Sequence, residues 1–182
     1  MRHFKIKAQI SSQKKRIRTM VDTPVQSPRL NSPKASWLQA LLGSKSSASF
    51  VFQACWLLVR LLAGGLMIHN GLDKLADVSG FAEGVVSYIG LPFPVFFTYC
   101  AAYTEVAGAV LLMLGLLTRP SALALLITMV VAIFFHIKGN GFKIAPLETA
   151  MLYAVLYGFF LVNGPGRWSL DEVIATRSGR QA

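Results

Sequence analysis

Four long apolar runs, broken by short polar stretches, organise the chain after residue 49. They cover 50–69, 94–117, 119–137 and 146–162. About 20 apolar residues in helical form cross a hydrocarbon core of ~30 Å. Lipid offers the backbone no hydrogen-bond partner, so a spanning chain must be helical or close into a barrel. The pattern predicts an all-α, four-helix transmembrane bundle. The second and third runs meet at Thr118 and Arg119, and Pro120 suits the first turn of the third helix. The fourth run is short, and Gly164-Pro165-Gly166 stops it. Between the first two runs, 70–93 carries a stripe of Phe81, Val85 and Ile89 ended by Gly90 and Pro92, which predicts a short amphipathic element across the outer surface.

Composition sharpens this picture. The chain is 54% hydrophobic and 14% charged, too apolar for a soluble domain of 182 residues. Its net charge of +10 is concentrated in 1–49, where ten Lys/Arg face one acid, Asp22. These residues form a basic, Ser/Pro-rich tail, expected to be mostly disordered. They are acid-poor like a transit peptide, Met20 is an alternative start, and 37–42 (WLQALL) is long enough only to lie on a membrane surface. Basic tails bind nucleic acid or anionic lipid. Directly before a membrane span, the lipid bilayer is the expected partner and nucleic acid is not. Putting both termini on the inner, cytoplasmic side leaves fourteen Lys/Arg inside and three outside (Lys74, Lys138, Lys143), as the positive-inside tendency requires. The setting is a multi-pass protein of a bacterial-type inner or plasma membrane, with an organellar membrane as the alternative. The membrane domain extends over 50–172, with 173–182 as a C-terminal tail. Within 164–171, Ser169 is a reasonable N-cap for an inner-surface helix.

Arg60 and Glu105 are the one formal charge in the first and second runs respectively. A lone charge at mid-bilayer costs ~2.5–3.5 kcal/mol on insertion scales. Arg60 lies about 15 Å from the inner end of its run and Glu105 about 16 Å from the outer end of the next. Opposite charges at matching depth, flanked by Ala63, Gly64, Ala101, Gly108 and Ala109, predict a buried Arg60–Glu105 pair at a close helix contact. It either fixes register or gates a proton or polar substrate.

A second polar group gathers at the outer span ends: His69, Asn70, Lys74, His136 and Glu148. Such a pocket would suit a quinone headgroup, an anion or a metal held by His69, His136 and Glu148. Polar residues also belong at span ends for solvation alone, and no metal motif supports the last option, so no metal is expected. Tyr103 and Tyr157 sit deeper than the aromatic belts, and with Tyr153 they are candidates to line a cavity, although core packing is the commoner role. Cys55 and Cys100 lie at different depths, too far apart for a disulfide, and read as packing residues.

These residues, taken in order, resemble the DoxX family of four-helix membrane proteins. The likeness rests on Arg60 with Gly64 and Gly65, Gly71-Leu72-x-Lys74-Leu75, Glu105 with Gly108, Leu114-Gly115-Leu116-x-Thr118-Arg119, His136, Glu148, and Gly164-Pro165-Gly166 followed by Ser169-Leu170-Asp171. It covers about 56–172. The resemblance implies a membrane component of sulfur redox, as in a thiosulfate:quinone oxidoreductase, or a membrane partner of soluble thiol or superoxide defence enzymes. The leading expectation is a subunit or anchor of a quinone-linked, sulfur- or thiol-related oxidoreductase system, itself not necessarily the catalytic part. No covalent cofactor motif is present in the sequence, so electrons would pass through a bound quinone or a soluble redox partner protein. The alternatives are a small solute or proton transporter acting as a homo-oligomer, and a non-catalytic scaffold recruiting a soluble partner.

Overall fold

A computed structural model of the chain describes residues 49–179. The expectations for the basic tail lie outside the described residues, apart from Ser49. The helices are α1 (Phe50–Ala76), α2 (Val78–Phe81), α3 (Pro94–Leu114), α4 (Thr118–Asn140), α5 (Ile144–Asn163) and α6 (Leu170–Gly179), and a π-helical stretch (Ala82–Ser87) follows α2 directly. Four of them, α1, α3, α4 and α5, are long and apolar enough to cross a membrane. Their outward faces carry Leu62, Leu66, Val130, Leu152 and Val155, each more than half exposed. In a bilayer these side chains meet acyl chains, and the protein is an integral multi-pass membrane protein.

α1 packs on α3, α3 on α4, and α4 on α5. The α1–α3 contact is close because Gly64 and Gly71 face α3. A Cβ at Gly71 would stand 2.7 Å from Val106 Cγ2 and 3.0 Å from the Ala102 carbonyl oxygen, and one at Gly64 would stand 3.0 Å from the Ala109 oxygen. Small residues let backbones approach in this way. Gly108, expected to serve the same contact, instead faces Leu125 of α4. Between the helices Met67, Leu112, Leu125, Met129, Tyr157 and Phe160 form the apolar core.

This register separates the two buried charges. Gly71 lies against Ala102–Val106 and Gly64 against Ala109 and Met113, so the antiparallel descent brings Arg60 to Gly115. Gly115 is ten residues beyond Glu105, about 15 Å along the helix. The expected Arg60–Glu105 pair is therefore not made, although both residues are buried at 2% exposure. The matching-depth argument failed because α1 continues to Ala76, well past residue 69, which shifts its frame relative to α3.

Arg60 instead holds the segment after α5. Its Nη1 donates to the Pro165 carbonyl at 2.5 Å and its Nη2 to the Trp168 carbonyl at 2.6 Å. One and two turns earlier on the same face, Trp56 Nε1 donates to the Gly164 oxygen at 3.2 Å, and Gln53 Oε1 accepts from the Arg167 N–H at 2.7 Å. Ser169 caps α6 as expected, its Oγ accepting from the Glu172 N–H at 3.2 Å. Asp171 then reaches across to the α3–α4 turn. Its carboxylate accepts the Leu117 and Thr118 N–H groups at 2.8 and 2.9 Å, and its own N–H donates to the Gly115 oxygen at 2.9 Å. That turn contains Leu117 at φ 48°, a left-handed conformation costing a non-glycine residue on the order of 1–3 kcal/mol. Gly115, at φ 66°, leaves no room for a side chain, since a Cβ there would lie 2.8 Å from Arg60 Nη1 and 2.5 Å from Ser169 Cβ. The result is a latch joining α1, the α3–α4 turn and α6 at one end of the bundle.

Arg60→Met leaves two buried carbonyls and the Asp171 carboxylate without their cation. Losing one side of such an arrangement costs about 3–5 kcal/mol, so the thermal midpoint of the detergent-solubilised protein should fall clearly. A midpoint within a degree or so of wild type would contradict the latch.

Candidate functional site

At the end of the bundle away from the latch, the helices enclose a cavity of about 740 Å³. Its walls come from α3, α4 and α5 with Asn70 and Lys74 of α1, and residues from Phe81 to Leu91 form its roof. The roof contains the π-helical stretch, a backbone form often found at functional sites. Tyr88 fastens it to the end of α4: its hydroxyl donates to the Lys138 carbonyl at 3.2 Å, while Lys138 Nζ donates to the Tyr88 carbonyl at 2.8 Å. The amphipathic stripe expected in 70–93 is thus an internal surface, with Phe81, Val85 and Ile89 all lining the cavity.

The lining is mostly apolar, with a few polar groups concentrated on it. Lys74 Nζ lies 2.6 Å from Glu105 Oε2, and these side chains are 16% and 2% exposed. The same ammonium donates to the Asn70 carbonyl at 3.2 Å and stands 5.2 Å from the Phe81 ring centroid. Glu105 therefore does have a cationic partner inside the bundle, one not expected from the apolar runs. Lys74 reaches it because α1 extends beyond the predicted span, placing residues 70–74 against α3 instead of in an outer loop. Thr104, Thr128, His136 and Tyr153 line the same cavity. Tyr153 stacks on the fully buried Tyr157, with ring centroids 5.8 Å apart. Among the described residues, His136 Nδ1 and Tyr157 Oη are buried polar atoms with no hydrogen-bond partner, and so are Arg60 Nε, Thr118 Oγ1 and Ser121 Oγ toward the latch end.

The sequence candidates divide accordingly. Asn70, Lys74, His136, Tyr153 and Glu105 come together on the cavity. Arg60 belongs to the latch. His69 lies on the outer side of α1, beside Asp73 at 3.5 Å, with both side chains mostly exposed. Glu148 is exposed and does not line the cavity, because it precedes the buried Ala150 by two positions and so points to the opposite side of α5. The three-residue metal set of His69, His136 and Glu148 is therefore not assembled. Tyr103, two positions before Glu105, faces outward at 59% exposure and stacks on Tyr99 with centroids 6.1 Å apart. Both cysteines are free and exposed and do not pack in the core; Cys100 sits on the cavity rim. Thr104 and Thr128 were missed because single threonines inside apolar runs give no distinguishing signal.

These features define a four-helix integral membrane protein with an apolar, ion-pair-floored cavity at one end. The chain belongs to the DoxX family, whose profile matches residues 55–137. It is 33% identical over 134 residues to an uncharacterized membrane protein of Mycobacterium tuberculosis, a match covering 66% of this chain and 81% of the relative. It is also 31% identical over 119 residues to an uncharacterized protein of Haemophilus influenzae, covering 63% of this chain and 86% of the relative. No solved structure matches the chain.

The pairing scheme predicts how substitutions combine. Glu105→Leu and Lys74→Met should each destabilise strongly, because each leaves one buried charge alone, and the double variant should recover part of the loss. Arg60→Leu with Glu105→Leu should instead add to within about 0.5 kcal/mol, since the sites are distant and share no partner. Unfolding midpoints of the singles and doubles check this. Strong coupling of Arg60 to Glu105 would contradict the register.

Proposed function

We propose that the protein is a membrane subunit or anchor of a quinone-linked oxidoreductase system, and that the cavity seats the quinone ring. The observation carrying this reading is the Lys74–Glu105 pair on the floor of an otherwise apolar chamber. Ligand sites combine an apolar lining with a few placed polar groups and occupy roughly 300–1,000 Å³, which the cavity of about 740 Å³ satisfies. Lys74 and His136 supply donors for the ring oxygens. Thr104, Thr128 and the Tyr153 hydroxyl complete the polar set. Reduction of the quinone to the quinol takes two electrons and two protons. A soluble thiol- or sulfur-oxidising partner delivers the electrons, and the groups around Glu105 and His136 are placed to pass protons. By the Lys/Arg distribution, the latch end and both termini lie on the inner side and the cavity lies in the outer half. Binding of Arg60 by the Pro165 and Trp168 carbonyls, away from the cavity, removes one support for a transport path along both charges.

The test is equilibrium binding of a short-tailed ubiquinone and a menaquinone analogue to the full chain in nanodiscs. Saturable binding near one site per chain is expected. Glu105→Gln and Lys74→Gln should each weaken it about tenfold, ~1.4 kcal/mol. Partitioning that never saturates and is the same in wild type and variants would overturn the reading.

A further inference from the structure

We infer that the cavity is loaded sideways from the bilayer, through a portal between α3 and α4, and that its ligand is a long-tailed, membrane-dissolved quinone whose tail remains in that portal. This rests on the reading above and specifies the form of ligand the site takes. The walls of the cavity are not all interior. Cys100 on α3 and Ile127 and Val131 on α4 line it and are also exposed, Ile127 at 56% and Val131 at 39%. Ile127 and Val131 straddle the midpoint of α4, each about 14 Å from an end of the helix at 1.5 Å per residue. An opening at that depth faces acyl chains and not water, given a hydrocarbon core of ~30 Å. The surface end is obstructed instead by the roof, which Tyr88 and Lys138 tie to α4.

The arrangement of polarity fits this route. The charged groups, Lys74 and Glu105, lie on the inner wall against α1, whereas the rim toward lipid is apolar apart from the Cys100 thiol. A molecule entering head first would bring its ring oxygens to Lys74 and leave its isoprenoid chain between Cys100 and Val131. A water-soluble ligand would have to cross acyl chains to reach the same opening. The portal lies away from the α3–α4 turn, where the Asp171 carboxylate accepts the Leu117 and Thr118 N–H groups and holds the two helices together.

The cysteine on the rim makes the portal measurable. In a Cys55→Ser variant of the full chain in nanodiscs, Cys100 is the only thiol left, and its alkylation by a lipid-soluble maleimide is timed with and without ligand. A long-tailed ubiquinone should slow alkylation about fivefold or more, and the tailless ring compound at saturation should slow it much less. Ile127→Trp should weaken long-tailed binding about tenfold relative to the tailless ring. Val155→Trp, on the lipid face of α5 and away from the cavity, should leave both unchanged. Equal protection by the two ligands, no protection by either, or no discrimination by Ile127→Trp overturns the portal. If both ligands still bind saturably in those cases, the quinone reading survives without it. If neither binds, both proposals fail together.

Discussion

The antiparallel register of α1 on α3 is the constraint on which the remaining structure depends. Gly64 and Gly71 set it by letting the two backbones touch, and neither position has space for another atom. Once it is set, the two buried charges on α1 have fixed counterparts. Arg60 meets the end of α3 and the chain beyond α5, and Lys74 meets Glu105. A shift of one helical turn would move Lys74 by about 5.4 Å, far more than a 2.6 Å ion pair can absorb. It would also carry Arg60 away from the two carbonyls it holds. Both polar centres therefore reinforce the register that creates them.

The latch solves a problem posed by the backbone itself. Between α5 and α6, residues 164–169 are not helical, so their carbonyls cannot be satisfied within a helix. Near lipid such groups need partners from the protein. Trp56 and Arg60 provide donors, one turn apart, to Gly164, Pro165 and Trp168. Arg suits this role because its guanidinium directs several donors outward in one plane, reaching two carbonyls at once. The cost of burying Arg60 and the cost of burying an irregular loop thus offset each other. Asp171 supplies the compensating negative charge and binds the strained Leu117 turn.

The four membrane-length helices, the stop at Gly164-Pro165-Gly166, the Ser169 cap and the membrane placement were legible in the sequence, because apolar run length and helix-stop chemistry are local signals. The importance of Arg60 and Glu105 was legible for the same reason: a lone charge in an apolar run must be accounted for. What was not legible was their partners. Hydropathy ended α1 at residue 69, because His69, Asn70, Asp73 and Lys74 are polar, yet the helix continues to Ala76, with Lys74 paired inside the bundle and His69 and Asp73 on its exposed side. That error of two turns moved Lys74 from an outer loop to the cavity floor and made Arg60 look level with Glu105. Glu148 and Tyr103 were misplaced for a different reason. Depth along a helix is readable from sequence, but the facing direction depends on neighbours that a nearly uniform apolar helix does not reveal.

Two buried charges in a small membrane domain need not serve one purpose, and their surroundings separate these two. Arg60 is held by two backbone carbonyls, with Asp171 supplying the opposite charge, and it does not line the cavity, so its interactions serve the fold. The Lys74–Glu105 pair is by itself weak evidence of a stabilising role, since burying an ion pair often fails to repay its desolvation. Here the pair faces an open chamber with His136 Nδ1 nearby, a buried polar atom without a partner. On the proposed reading, a ligand in the chamber completes the remaining hydrogen bonds and arrives from the side of the apolar rim at mid-bilayer.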